Sequence, residues 1–408
     1  MESPAFEARR QAREATSHAD QSAIAYEHGV GANLYDADGN RYVDLVAGFG
    51  ALALGHANAA ISRAVASQME RLPLALGDVY ATQIKLDLCE RIAALYPEPD
   101  ARVMLGLSGA DAVTAALKTA VLATGRAGVV AFSGSYHGLS YAPLAACGLA
   151  EAFRAPFAAQ LGEHVRFTPY PAGDSALGGS LDSVRGALEG GDVGAVLVEP
   201  VLGRGGCVVP PAGFLPALRA LCDRHGALLI ADEIWTGLGR SGAWLASVAS
   251  GVRPDLVCLG KALGGGLPVS ACVGSNAIMR AWGKHGGTAI HTATHFGWPV
   301  ACAAAMATLD ALEREQLPAR AAEVGSRFIA ALREAGFDAQ GQGLMVGVVL
   351  ADASAALSVS RRLLGEGWLV LTGGSQGNVL TLTPPLDIDA ALLDAFTQRL
   401  AAAVHPER

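Results

Sequence analysis

The chain has no cysteine pair at C-x-x-C spacing, no run of like charge and no apolar stretch near the roughly 18 residues of a membrane span. Its seven cysteines, at 89, 147, 207, 222, 258, 272 and 302, are scattered and odd in number. They offer no zinc site and read as packing residues in a reducing compartment. Without basic clusters, a net charge of −8 argues against nucleic acid or an anionic membrane as partner. The opening residues Met1 to Arg10 are charged and lack the apolar core of a secretory leader, so the cytoplasm is the expected compartment. Charged residues make up only 17% against 51% hydrophobic, with a mean hydropathy of +0.32. So little charge on so apolar a chain predicts a buried subunit interface and hence an oligomer.

What is present is length, glycine and alternation. The 408 residues exceed one ordinary core and predict a large α/β body with an appended lobe. Fifty glycines suit tight strand-to-helix turns. The first thirty residues read as a loosely helical arm, and 34–45 as two short strands around Asp38-Gly39, an edge hairpin. From about residue 82, helical stretches alternate with apolar strands at 129–132, 195–199, 228–232, 256–259 and 271–274, the spacing of βαβ units. A helix over 301–312 leads into a second lobe with strands at 345–350 and 379–383 and a last amphipathic helix over 390–404. The expected division is a large domain over 66–305 and a smaller one built from 1–65 and 306–408.

Lys261 follows Val257-Cys258-Leu259 and lies among glycines, where desolvation lowers an ammonium's pKa toward the free amine a Schiff base needs. Asp232 ends the apolar run Ala227 to Ala231, so its carboxylate should emerge at the carboxyl end of a buried parallel strand, where open α/β sheets keep ligands. A lysine for an aldehyde and a carboxylate for a pyridinium nitrogen are the two groups pyridoxal phosphate chemistry requires. Each has a plainer reading. A lysine is ordinarily a solvated surface residue, and Asp232-Glu233 can be a helix N-cap pair. A Walker P-loop is excluded by Ala262, where Ser or Thr should follow the lysine. Residues 237–242, Gly-Leu-Gly-Arg-Ser-Gly, formally match a dinucleotide fingerprint and so raise a nicotinamide dehydrogenase as a rival. Ser108-Gly109-Ala110-Asp111 looks like the entry to a helix whose N-terminus binds a phosphate, or a plain cap. Tyr136-His137-Gly138 and Glu199-Pro200 each follow another strand. Five elements thus aim polar groups at one rim.

The ordered set resembles the class III, fold-type I aminotransferases that depend on pyridoxal phosphate. The matching pieces are residues 108–112, 136–138, 199–200, 231–234, 237–242, 260–261 and 294–299, within a similarity running from about residue 30 to Pro385. The resemblance implies a mostly parallel sheet flanked by helices, and it assigns roles by position. Lys261 would bind the cofactor aldehyde and shuttle the proton, and Asp232 would keep the pyridine nitrogen protonated. Tyr136 and Ile234 would cover the two ring faces. Gly109 and Ala110 would cradle the phosphate, and Glu199 would join the cofactor contacts. Thr294 would reach the phosphate from the second subunit of a homodimer. Four departures stand out. Ala110 replaces a usual Ser or Thr, and Trp235 a frequent Gln. Thr381 and Leu139 occupy places where many relatives carry the arginines that clamp a substrate carboxylate. Arg204 is the candidate substitute cation, Phe49 a candidate substrate contact, and Arg240 a structural residue. The expected activity is transfer of an amino group, by a ping-pong cycle, between an amine or amino acid and an oxo acid, ketone or aldehyde. The tail 377–386 also resembles amino-lactam racemases of this fold, which makes racemisation the alternative.

Overall fold

A computed structural model describes residues 4–15, 24–284 and 288–404. Its central sheet has seven strands in the spatial order Arg102–Gly106, Ser270–Gly274, Leu256–Leu259, Leu228–Asp232, Val193–Val198, Gly128–Phe132 and Val165–Thr168. Only Ser270–Gly274 runs antiparallel to its neighbours. The inner strands are apolar on both faces because both faces are covered. Val130, Phe132, Val196, Val198 and Leu229 pack into one cluster with Phe214 and Leu218, while Val129, Ala131, Ala195, Leu197 and Ile230 pack into another with Val113 and Ala116. That period of two places the sheet between layers of helix.

The expected strands all form, with ends moved by one or two residues. Arg102–Gly106 and Val165–Thr168 escaped the sequence reading. Each carries an arginine, at the start of the first and inside the second, and neither is fully buried. The helix placed at 301–312 spans Pro299–Arg314, and the last helix runs Ala390–Val404 as expected.

At the amino end, helix Pro4–Arg13 fits the helical arm, but Tyr26–Val30 is a strand. It pairs outside Asn33–Asp36, and Trp368–Leu369 from the far end of the chain pairs parallel with Arg41–Asp44. The 33–44 hairpin is therefore the interior of a four-stranded sheet, and not its edge. A third sheet joins Asp338–Gln342, Met345–Val349, Val379–Leu382 and Leu371–Gly373. The result is an α/β protein with a large, mostly parallel sheet and a smaller domain. Among the described residues no helix is long and apolar enough to cross a membrane, and no side-chain group could hold a metal ion.

Candidate active site

The parallel strands leave their carboxyl ends on one side of the sheet, and the predicted residues converge there. Gly109, Ala110, Tyr136, Glu199, Asp232, Ile234 and Lys261 line one cavity of about 300 Å³, together with His137, Leu139 and Trp235.

Gly109 and Ala110 open helix Gly109–Thr124. Ser108 caps it by accepting the Asp111 N–H at 3.2 Å, and Asp111 in return accepts the Ser108 N–H at 3.0 Å. The loop is thus both a cap and an entry, since the first-turn residues face the cavity with the positive end of a 16-residue helix behind them. Close packing fixes the cradle. A Cβ on Gly109 would stand 2.8 Å from Ile234 Cδ1, and one on Gly138 would stand 2.9 Å from Ala110 Cβ.

Asp232 ends its strand with a buried carboxylate. Oδ1 accepts the Ile234 N–H at 3.1 Å, and Oδ2 lies 2.7 Å from His137 Nδ1. A carboxylate offers only acceptors, so His137 Nδ1 carries the proton of that bond. His137 is visible in the sequence within Tyr-His-Gly, but its role is not, because which strand end it meets depends on spatial order. No helix follows Asp232-Glu233. Glu233 instead accepts the Ala246 and Ser247 N–H groups, each at 2.8 Å, which makes it a structural anchor.

Lys261 leaves strand Leu256–Leu259 through Gly260 and holds a φ of +29°, a strained backbone for a side-chain residue. Its Nζ sits 4.3 Å from the centre of the Trp235 ring. Desolvation pulls the amine down to about 8, against the opposing pull of Asp232 and Glu199. Glu199 is buried and its carboxyl is pushed up to about 7 by that burial, although it accepts the Tyr136 N–H at 2.7 Å and the Gly203 N–H at 2.9 Å. It braces two loops of the rim.

The remaining candidates lie around this centre. Arg204 is half-buried, with its guanidinium 4.5 Å from the Tyr136 ring centre and 5.7 Å from that of Phe153. Phe49 meets the Trp235 ring edge-on at 6.0 Å. Thr294 is exposed in a turn and lines no part of this chain's own cavity. Thr381 is buried in its strand and Leu139 is exposed at the rim, so neither site of the missing arginines holds a cation. Arg240 is buried and donates to the Leu344 and Pro384 carbonyls, a structural role. It sits in a buried turn that neither starts at a strand end nor opens a long helix, only the four-residue Ala246–Ala249 following, which removes the dinucleotide reading.

A desolvated amine, a buried carboxylate held by a histidine and a helix N-terminus around one cavity define a pyridoxal-phosphate enzyme of the open α/β sheet type. The model of the class III aminotransferases matches residues 15–404, and the chain belongs to that family. It is 36% identical to the acetylornithine aminotransferase of Methanothermobacter thermautotrophicus, over 93% of this chain and 94% of that one. The 5-aminovalerate aminotransferase of Pseudomonas putida is 35% identical over 88% of each. Among solved structures, an amine transaminase from an uncultivated Pseudomonas species, in its PLP-bound form, matches with a TM-score of 0.87 and 30% identity over 96% of each chain. The ornithine aminotransferase of Toxoplasma gondii matches with 0.89 and 29%, over 99% of this chain and 95% of that one. The protein is a pyridoxal-phosphate-dependent aminotransferase, and such relatives do not favour the racemase alternative.

Proposed function

We propose that the donor is an amine or amino acid whose apolar body lies along Phe49 and Trp235, and that any carboxylate on donor or acceptor is met by Arg204. The observation that carries this reading is the state of Arg204. It stands over Tyr136 and Phe153 with its charge uncompensated by any carboxylate among the described residues. A half-buried guanidinium on aromatic faces is poorly hydrated and favours a bidentate anion. The names of the acetylornithine and 5-aminovalerate relatives, whose substrates carry a carboxylate away from the reacting amine, support it.

Pyridoxal phosphate, when bound, supplies an aldehyde that accepts the amino nitrogen and a ring that takes up electrons. Lys261 Nζ would hold that aldehyde and, as a free amine, would take the proton from the substrate carbon and return it from the same side of the cavity. Asp232, fixed by His137 and the Ile234 N–H, keeps the proton of the ring nitrogen in place. Gly109 and Ala110 bind the phosphate through backbone N–H groups, so the missing hydroxyl at position 110 is tolerated. Tyr136 and Ile234, which both line the cavity, would cover the ring, and Glu199 keeps the Tyr136 loop in register.

A homodimer, with Thr294 contributed across the interface, completes the proposal. Its support is the exposed apolar segment containing Met69, Leu72, Leu74, Leu76, Val79 and Tyr80, which a monomer would leave in water. Seven free cysteines, six of them buried, suit the cytoplasm. A division at about 66 and 305 remains the proposed domain assignment.

A donor and acceptor screen, with and without carboxylates, on wild type and Arg204→Ala tests the reading. We expect KM for oxo acids to rise about tenfold or more in the variant, with uncharged aldehydes little affected. Full retention of oxo-acid use by Arg204→Ala refutes the clamp.

A further inference from the structure

Four successive residues, Ala47, Gly48, Phe49 and Gly50, hold positive φ values of 46°, 60°, 57° and 77°. The glycines adopt this left-handed turn freely, whereas Ala47 and Phe49 do so at a cost that surrounding contacts must offset. The offset comes from Asp44, 1% exposed at the end of strand Arg41–Asp44. Its Oδ1 accepts the Val46 and Ala47 N–H groups, both at 2.8 Å, and its Oδ2 lies 2.8 Å from His56 Nε2. Thr383, from the far end of the chain, donates its hydroxyl to the Val46 carbonyl at 2.9 Å. The His56 ring is wedged against the first strand, where a Cβ on Gly29 would come 2.6 Å from its Cγ.

The turn delivers Phe49 to the edge of Trp235, whose face covers the Lys261 amine. It also brings Gly50 so close that a Cβ there would stand 2.8 Å from Trp235 Nε1. The backbone of 47–50 therefore fixes where the Phe49 ring meets Trp235, which lines the cavity.

We propose that Asp44 and His56 are positioning residues that hold this left-handed turn, and that the turn sets the size of donor side chain the enzyme accepts. The inference rests on the reading of Phe49 as a wall of the substrate cavity. Holoenzyme is assayed with two donors taken from the screen above, the shortest and the bulkiest accepted, and the ratio of their kcat/KM values is the readout. Phe49→Ala serves as the reference. His56→Ala should shift the ratio by about fivefold or more in the same direction, and His56→Gln, which keeps a donor for Asp44, should return it to within about twofold of wild type. Gly29→Ala, which pushes on the His56 ring while leaving both Asp44 and His56 in place in the sequence, should shift it as well. The lock is overturned if Phe49→Ala shifts the ratio while His56→Ala and Gly29→Ala only lower Tm. If Phe49→Ala itself leaves the ratio unchanged, the cavity reading fails and the lock falls with it. Should His56→Ala fail to fold, the Gly29→Ala result decides.

Discussion

Lys261 combines a strained backbone, an aromatic lid and a desolvated amine, and each has a measurable consequence. Lys261→Ala should give no covalent cofactor adduct after borohydride treatment, read by intact mass, and should lose nearly all activity. Only the unprotonated amine attacks an aldehyde. With its pKa drawn down to about 8, capture of cofactor by apoprotein should therefore climb steeply up to about that pH and level off above it, as followed by stopped-flow absorbance. Glu199 behaves in the opposite sense. Its folded-state pKa of about 7 lies above the ordinary 4.5, so between these values the folded state holds a proton that the unfolded chain has released. Stability of the apoprotein should fall as pH rises through this window. Glu199→Gln should remove that slope in thermal melts from pH 5 to pH 8, because no proton is then exchanged.

At the scale of elements, the proposed phosphate cradle depends on a helix that starts at one residue and no other. The reciprocal Ser108–Asp111 cap fixes that start, so Ser108→Ala should cost about 1 kcal/mol of stability by denaturant melts and weaken cofactor affinity at the same time. A stability loss with unchanged affinity would separate the cap from the cradle. The buried strands announce themselves because the five inner members of the sheet are apolar on both faces. Edge strands carry arginines and do not, which is why Arg102–Gly106 and Val165–Thr168 were not foreseen.

For the whole molecule, the proposed dimer places Thr294 in the neighbouring site and the segment around Leu76 and Val79 in the interface. Val79→Asp should shift sedimentation from dimer to monomer and abolish activity together, since burying an unpaired charge in such a contact is costly. A monomer that keeps full activity would show each site to be complete in one chain.

The amino-acid sequence alone determined the alternating architecture and the family, and it singled out the proposed catalytic pair. Apolar strands ending in Asp232 and leading into Lys261, with glycines around them, are local patterns, and local patterns survive in one dimension. Only the tertiary structure decided that His137 meets Asp232, that Trp235 lies over Lys261, and that Arg204 stacks on Tyr136 and Phe153 where Thr381 and Leu139 offer no charge. The same holds for the 33–44 hairpin, which became interior when Trp368–Leu369 arrived from more than three hundred residues away. These contacts join segments far apart along the chain, and their partners are set by strand order and loop path, which no spacing of residues encodes.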